Sequence, residues 1–325
     1  MRTGLYMLAL ALAAASAATT AQTWSPQKNV EIVAPSAPGG SNDKTARLLE
    51  RIFLANKLVP TAIIVVNKAG GGAMIANTYV SQRVGDPHYL LIGGGGISSN
   101  HIIGASPLTV ADFTPIASLV NDYAVFAVNA NLPIKTGKDL ADRLKKDPRS
   151  VTVGFANAFG STRHITAGLL IKALGGNPRE LKPVVFKGSA EAVTAMLGGH
   201  LEVVVIGAGN VVAHVGGGRM RVVAIASPQR LSGPLADVPT WREQGIDLVN
   251  GSSRGIFGPK GLTPPQVAYW ANALRKVSET PEWKADLEKN YWAEDFATGA
   301  KLRKDLEQEY AEIKVVLTDL GLAKQ

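Results

Sequence analysis

Glycine and hydroxyl residues are concentrated in loops that follow apolar, strand-like runs, and these loops are where the sequence could do chemistry. Residues 30–53 read VEIVAPSAPGGSNDKTARLLERIF, in which PSAPGGSND stands between an apolar run and an amphipathic run. The first turn of a helix carries unpaired N–H groups and a positive dipole end, so it holds anions well. Glycine permits close approach because it has no Cβ and reaches positive φ freely. The loop is therefore either a simple turn or a cradle for an anion.

The same order of apolar run, glycine-rich or hydroxyl-rich loop and helix-like run returns further along the chain. The segments that show it are 62–83, 89–99, 151–174 and 182–197. A single loop is weak evidence, because turns between strands and helices use Gly and Ser for their geometry alone. Several such loops together favour one shared anion-binding site.

Nucleotide binding and catalysis have little support in the sequence. A P-loop needs G-x-x-x-x-G-K-[ST], which the Gly-Lys pair at 137–138 does not complete, and no glycine cluster completes G-x-G-x-x-G. Without cysteine there is no thiol nucleophile, and the five histidines show neither an i, i+4 pair nor H-E-x-x-H. His164 is interpreted as a packing or hydrogen-bonding residue. We therefore predict no catalytic residue, no cofactor and no metal site.

Composition sets wider limits on function. The net charge of +8 suits an anionic ligand but identifies none. Basic residues are interspersed with acidic ones and aromatic residues make up only 6% of the chain, so nucleic-acid binding is not expected. A chain of 325 residues is long enough for two domains, each with its own core.

The N-terminal segment has the pattern of a secretory signal peptide over residues 1–21. Arg2 precedes an apolar run that is too short to span a bilayer, and small residues lead to a cleavage site after Ala21. The alternative is a retained membrane anchor. Because the chain has no cysteine, no lipid-modified cysteine can follow the signal. The prediction is an untethered protein of the periplasm.

Alternation of Val- and Ile-rich runs with helix-like segments predicts an α/β fold, with mostly parallel sheets and helices on both faces. Further strands are expected at 201–207, 220–226 and 254–259. Near the C-terminus, apolar residues at spacings of 3 and 4 predict a helix that packs on a core; they are Leu306, Tyr310, Ile313, Leu317 and Leu320.

The order of these elements suggests two α/β domains with two chain crossings between them. We predict domain 1 at 22–125 plus 246–325 and domain 2 at 126–245. Two crossings form a hinge and leave a cleft between the sheets. Ligands of open α/β sheets bind outside the carboxyl ends of the strands, where the glycine loops stand.

Five segments in order resemble the periplasmic solute-binding receptors of tripartite tricarboxylate transporters, the Bug family. They are VAPSAPGGSND, VVNKAGGGAMIAN, GSTRHITAGLL, VVFKGSAEAVTAMLGGHLEV and RLSGPLADVPTWREQG, and the likeness covers 24–325. The resemblance implies a two-domain periplasmic binding protein, type II-like, that closes on a small carboxylate without catalysis. It also implies delivery of that ligand to the membrane components of a tripartite tricarboxylate-type transporter, by a receptor expected to be a monomer.

In the family, backbone amides, hydroxyls and ordered waters hold the ligand carboxylate. Carried over to this chain, the resemblance implies three groups of ligand-binding residues: Ala37, Gly39, Gly40 and Ser41; Asn67, Gly70, Gly71 and Gly72; and Ser161, Thr162, Arg163, Lys187, Gly188 and Ser189. Asp43 is not expected to touch an anion. Its predicted role is to cap its helix or to fix the loop by accepting backbone N–H bonds.

Three departures from the family pattern bear on the ligand. Arg163 stands where relatives commonly have a smaller residue, Ile206-Gly207-Ala208 lacks an acidic residue, and Arg254 stands where an aromatic residue is frequent. They favour an amine-free di- or tricarboxylate, or an aromatic carboxylate, over an amino acid. Arg163 either forks onto a ligand carboxylate or is an exposed, solvated side chain.

The expected function is therefore an extracytoplasmic receptor for an organic carboxylate. The alternative from another class is a secreted α/β enzyme that acts on an acidic substrate. Turnover of a carboxylate would favour the enzyme, and stoichiometric binding without turnover would favour the receptor.

Overall fold

The computed structural model describes residues 24–324. The predicted signal peptide and its cleavage site lie outside the described residues. Within the described range, no helix combines the length and the apolar character that a membrane crossing requires.

Strands and helices alternate through much of the described chain. The strands are β1 (Val30–Ala34), β2 (Ile63–Asn67), β3 (Tyr89–Gly93), β4 (Phe113–Asn129), β5 (Thr152–Ala156), β6 (Lys182–Phe186), β7 (Val203–Gly207), β8 (Met220–Ile225), β9 (Gly251–Pro259) and β10 (Ala293–Thr298). The helices are α1 (Ser41–Ala55), α2 (Met74–Ser81), α3 (Gly96–Ile102), α4 (Gly137–Lys146), α5 (Thr162–Ala173), α6 (Ser189–Leu197), α7 (Val212–Gly216), α8 (Pro264–Ser278), α9 (Pro281–Asn290) and α10 (Gly299–Asp319). The α/β class predicted from the sequence is confirmed.

The sheet is mixed rather than mostly parallel. Its strand order is β2-β1-β3-β9-β4-β7-β5-β6, with β8 and β10 also paired to β4. The outer pairs are parallel, but every pair that includes β4 or β9 is antiparallel. Because β4 is 17 residues long, it runs through both halves of the sheet.

The path of β4 explains the antiparallel pairs. β4 pairs with β9 and β10 along its first part and with β7 and β8 along its second part. It therefore leads from a first strand group, which contains β1, β2, β3, β9 and β10, into a second strand group, which contains β5, β6, β7 and β8. β5, β6 and β7 run opposite to β4, which turns their carboxyl ends back toward the first group.

Apolar clusters lie on both faces of each strand group. On the first group, one cluster contains Ile32 and Trp270 and the other contains Val33 and Phe257. On the second group, Phe126 and Val125 belong to clusters on opposite faces. The helices therefore cover the sheet on both faces, as the sequence pattern predicts.

The terminal helix α10 packs on the core, as its apolar spacing predicts. Leu306 joins the cluster around β3 and β9. Ile313, Leu317 and Leu320 pack with Ile102 of α3 and Ile165 of α5, and Tyr310 packs at the edge of that cluster. The C-terminal half of α10 thus links a helix of the first strand group to a helix of the second. The predicted domain bounds stay a prediction.

Candidate functional site

The carboxyl ends of the parallel strands of both groups point toward the same stretch of β4. β3 ends at Gly93, which pairs with Gly255 of β9, and Gly255 pairs with Ser118 of β4. β7 ends at Gly207, which pairs with Ala124 of β4. Ser118 and Ala124 are six residue steps apart along the strand, a distance of about 20 Å. The glycine loops of the two groups therefore stand on opposite sides of a cleft whose floor is this part of β4 and the facing part of β9.

Asp43 holds the loop between β1 and α1. Its carboxylate accepts the backbone N–H of Gly39 at 2.7 Å and the side-chain amide of Asn67 at 2.9 Å, and it forms an ion pair with Arg47. The backbone N–H of Asp43 donates to Oγ of Ser36. The predicted role of Asp43 in fixing this loop is confirmed.

Burial and hydrogen bonding act on the Asp43 carboxyl in opposite directions. Burial raises its pKa, but the N–H of Gly39, the amide of Asn67 and the guanidinium of Arg47 together leave the pKa below its ordinary value. The carboxylate is thus bound to its own loop. Because the N–H of Gly39 donates to Asp43 and the N–H of Gly40 donates to the carbonyl of Ala37, the amides of Ala37 and Ser41 are the ones left for a ligand.

The loop after β2 turns through consecutive residues with positive φ. Gly70, Gly71, Gly72 and Ala73 have φ values of 122°, 58°, 62° and 84°. This is backbone that L-residues with a Cβ rarely adopt, so glycine is required by the path of the chain. Asn100 of α3 is buried, and its side-chain amide donates to the carbonyl of Gly72 at 2.7 Å, which holds the loop against α3. The three glycines are exposed.

Asn67 joins the first two loops. Its side-chain amide donates to the carbonyl of Ser36 and to the carboxylate of Asp43, both at 2.9 Å. The amide nitrogen therefore already donates to two loop residues. A ligand contact by Asn67, as predicted, would have to come from its other polar atoms.

The loop after β5 leads into α5 and is held by a buried histidine of that helix, His164. The backbone N–H of Gly160 donates to Nδ1 of His164 at 3.0 Å, and the imidazole stacks on Phe155. Burial lowers the pKa of His164 to about 4, so its ring is neutral near pH 7. His164 is a packing and hydrogen-bonding residue, as predicted. Ser161 precedes α5 and Thr162 begins it, so both stand at a helix N-terminus.

The loop after β6 leads into α6, which begins at Ser189. Lys187 is exposed, and its backbone N–H donates to the carboxylate of Glu191 at 3.0 Å. That amide is occupied by an acidic residue of its own helix. Gly188 has open space where a Cβ would stand.

The predicted residues fall into two sets, one in loops of the first strand group and one in loops of the second. The first consists of Ala37, Gly39, Gly40, Ser41, Asn67, Gly70, Gly71 and Gly72, and the second of Ser161, Thr162, Arg163, Lys187, Gly188 and Ser189. Asn157 and Phe186 connect the two loops of the second set by a backbone hydrogen bond. Among residues 24–324, no hydrogen bond joins one set directly to the other. Ligand contact by these residues stays a prediction.

Arg163 is buried, so the exposed alternative is wrong. Its side chain is 10% exposed. Nη2 lies 2.9 Å from Oδ2 of Asp122, and Nη1 donates to the backbone carbonyl of Asp122 at 3.0 Å. Both terminal nitrogens thus bind a residue on the cleft floor. Direct contact between Arg163 and a ligand stays a prediction.

Asp122 and Arg254 lie on the cleft floor, and the glycine-loop pattern indicates neither of them. Asp122 lies in β4 and Arg254 in β9, and both are buried. Oδ2 of Asp122 lies 3.7 Å from Nη1 of Arg254. A signal for Asp122 exists in the sequence, since it is a charged residue inside the apolar run IASLVNDYAVFAVN.

Gly207 belongs to the same contact. A Cβ at this position would lie 2.6 Å from Oδ2 of Asp122, so only glycine fits against the carboxylate. The sequence lacks an acidic residue after β7, but β4 brings the Asp122 carboxylate to that place. Arg163 binds Oδ2 of this carboxylate, whereas Oδ1 has no hydrogen-bond partner among the described residues.

Residues 251–255, GSSRG, match the G-x-S-x-G pattern of hydrolases. In that class the serine stands on a sharp turn between a strand and a helix. Here the segment lies within β9 and pairs with β4 from Gly251 onward. The match therefore lacks the structural context of a nucleophile. In the described part of the chain, no group of three or more His, Cys, Asp or Glu residues could hold a metal ion.

Residues 47–322 match the family described as tripartite tricarboxylate transporter family receptor. The chain belongs to this family, the Bug-type solute-binding receptors. The match covers more than half of the sequence and includes the loop after β2, the cleft floor and α10. The family resemblance inferred from the five loop segments is confirmed.

Individual relatives agree with this assignment. The receptor is 28% identical over 286 residues to protein BugT of Bordetella pertussis. This alignment covers 86% of this chain and 84% of BugT. It is 26% identical to the periplasmic binding protein BugD, with a TM-score of 0.76 over 92% of this chain and 100% of BugD. An R. palustris protein solved with adipate shares the fold at a TM-score of 0.79 and 23% identity, over 92% of this chain and 99% of that one. The two-domain binding-protein fold predicted from the sequence is thereby confirmed.

Proposed function

We propose that this receptor binds a small, amine-free organic carboxylate in the periplasm and delivers it to the membrane components of a tripartite tricarboxylate-type transporter. The observation that carries the proposal is the pair of loop sets that face each other across the cleft at strand ends and helix N-termini. Backbone N–H groups in such places bind anions. The loop backbone therefore supplies the donors for a ligand carboxylate.

The electrostatics of the cleft floor support an anion without an ammonium group. Asp122 is the acidic residue of the floor, and Arg163 binds it with both terminal nitrogens. An amino acid would bring a positive group toward two arginines that share one carboxylate. A di- or tricarboxylate, or an aromatic carboxylate, meets no such conflict.

The receptor acts by binding alone and as a monomer in this proposal. Among the described residues, His164 is a neutral, buried packing residue, and the GSSRG segment is part of a strand. Neither arrangement supplies a nucleophile with a base. The secreted-enzyme alternative therefore has no observation in its favour.

A thermal-shift screen of the purified chain from residue 22 onward against several hundred organic acids tests the proposal. A true ligand at 100 times its Kd should stabilise the protein by about 2.7 kcal/mol. Titration calorimetry should then give a stoichiometry near one, and the acid should be recovered unchanged after incubation. Consumption of the acid would contradict a pure receptor, and a screen without any carboxylate hit would contradict the proposed ligand class.

A further inference from the structure

Arg254 is a buried guanidinium with two nitrogens that bind nothing in the described part of the chain. Its side chain is 5% exposed. Nη1 faces Asp122, and the guanidinium carbon lies 4.2 Å from the centre of the Trp292 ring. Nε and Nη2 are buried without a hydrogen-bond partner. Buried donors of a charged group are expensive to leave unpaired.

The charges on the cleft floor do not balance. Arg163 and Arg254 share the single carboxylate of Asp122, so the three side chains carry one positive charge in excess. Arg163 has the shorter contact, at 2.9 Å against 3.7 Å for Arg254. Burial and the neighbouring Arg163 lower the pKa of Arg254, against the pull of Asp122, to about 10, so Arg254 stays charged near pH 7. A buried charge of this kind calls for a counter-ion.

The unpaired nitrogens indicate the shape of that counter-ion. Nε–H and the neighbouring Nη2–H form one edge of the planar guanidinium and point in nearly the same direction. A carboxylate can accept both hydrogens with its two oxygens, which is the bidentate geometry in which arginine exceeds lysine. Asp122 lies on the other side, toward Nη1, and its Oδ1 also has no partner among the described residues.

The guanidinium of Arg254 lies at the cleft floor, because its Nη1 faces Asp122, whose carboxylate lies against Gly207 at the end of β7. Arg254 pairs with Val120 of β4, between the levels at which β3 and β7 end. The glycine loops that would hold a first carboxylate stand at the walls of the same cleft. Nε and Nη2 are enclosed in this structure, so a ligand reaches them only after the surrounding elements move.

We propose that Arg254 determines specificity for dicarboxylates, by receiving the second carboxylate of the ligand on its Nε–Nη2 edge while the glycine loops hold the first. This inference rests on the proposed carboxylate-binding function. Arg163 and Asp122 are positioning residues, since Asp122 keeps the opposite end of the Arg254 guanidinium in place. Trp292 supports one face of the guanidinium and leaves the edge free.

Matched pairs of acids test the assignment. We would measure Kd by titration calorimetry for straight-chain dicarboxylates from malonate to pimelate, each beside the monocarboxylate of equal carbon number, such as adipate beside hexanoate. The wild-type receptor should bind one dicarboxylate of this series at least 10-fold more tightly than its matched monocarboxylate. In Arg254→Gln the affinity for that dicarboxylate should fall by about 10- to 100-fold, the effect of losing hydrogen bonds to a charged group, while the monocarboxylate changes by less than about 3-fold.

A second arginine that stacks on an aromatic ring serves as the control. Arg275 lies over Phe296 at 5.3 Å on the exposed side of α8. Arg275→Gln should leave both affinities unchanged. Arg254→Lys keeps the charge but cannot fork, so it should fold even if Arg254→Gln does not, and it should recover only part of the preference for the dicarboxylate.

The outcomes separate this inference from the proposed function. A wild-type receptor that binds no carboxylate overturns the proposed function. Alternatively, the wild-type receptor binds carboxylates, and Arg254→Gln or Arg254→Lys leaves its ratio of dicarboxylate to monocarboxylate affinity unchanged. That result overturns only the role of Arg254. Equal losses for both acids in Arg254→Gln also overturn it, because they show a structural role without selectivity.

Discussion

Replacing Asp43 by alanine should cost the receptor both stability and ligand binding. Asp43 is 2% exposed and accepts hydrogen bonds from Gly39 at 2.7 Å and from Asn67 at 2.9 Å. Hydrogen bonds to a charged group contribute about 1.5–3 kcal/mol each, and the pair with half-exposed Arg47 adds less than about 1 kcal/mol. Since neighbouring contacts are not additive and the buried carboxylate is costly to desolvate, we expect a loss near 3 kcal/mol.

The loss of binding has a separate cause. Without the carboxylate, the N–H of Gly39 and the amide of Asn67 lose their shared partner, and the first two loops are no longer held in register with each other. Ligand affinity should then fall at least about 10-fold in protein that is still folded, because backbone donors that must be ordered on binding cost affinity.

Asp139 is a matched control for this substitution. It also stands in the first turn of a helix and accepts two backbone N–H groups, from Lys135 and Thr136, but none of the cleft loops leads into its helix, α4. Denaturant unfolding and calorimetry of Asp43→Ala and Asp139→Ala would be compared. If Asp43→Ala bound the ligand with wild-type affinity, or was no less stable than Asp139→Ala, the role assigned to the Asp43 network would be refuted.

The pH dependence of the same group follows from its lowered pKa. A carboxyl whose pKa is lower in the folded than in the unfolded state contributes stability that is present above its unfolded pKa, near 4. This contribution is lost as the pH falls toward the folded value. The difference in stability between the wild-type receptor and Asp43→Ala should therefore shrink below about pH 4.

Three other predictions concern the second loop, α10 and the N-terminus. Gly71→Val should abolish ligand binding even in the folded fraction, because φ is +58° at this position and the new Cβ would lie 2.9 Å from Met74. Circular dichroism measures the folded fraction and calorimetry measures binding; retained binding would contradict the prediction. Burial, together with Asp295 and Glu312, raises the pKa of Glu309 to about 7, so ionisation of this group costs the folded state stability as the pH rises from about 4.5 to 7. Glu309→Gln should therefore raise the free energy of unfolding at pH 8 by up to about 3 kcal/mol and have little effect at pH 4. Equal effects at both pH values would argue against this assignment. N-terminal sequencing of the periplasmic protein should begin close to Gln22, whereas an intact Met1 in a membrane fraction would disprove export.

The sequence by itself determined the features that depend on residues close together in the chain. The loop role of Asp43 could be predicted because Gly39 stands four residues before it, within the reach of one turn. The glycine triplet at 70–72 signalled positive φ, and the 3- and 4-residue spacing of α10 signalled a packed helix. These patterns reflect local sterics and helix periodicity, which act without knowledge of the rest of the fold.

Only the tertiary structure decided which residues form the cleft floor. Asp122, Arg163 and Arg254 belong to three different elements, and Asp122 contacts a residue 41 positions away along the chain. Their contact depends on the path of β4, a single strand that runs through both groups and forces antiparallel pairing at the centre. A strand pattern shows which residues alternate between faces, but not which strands become neighbours, because pairing is set by the packing of the whole sheet. The charge excess on the floor could therefore be seen only once the chain was folded.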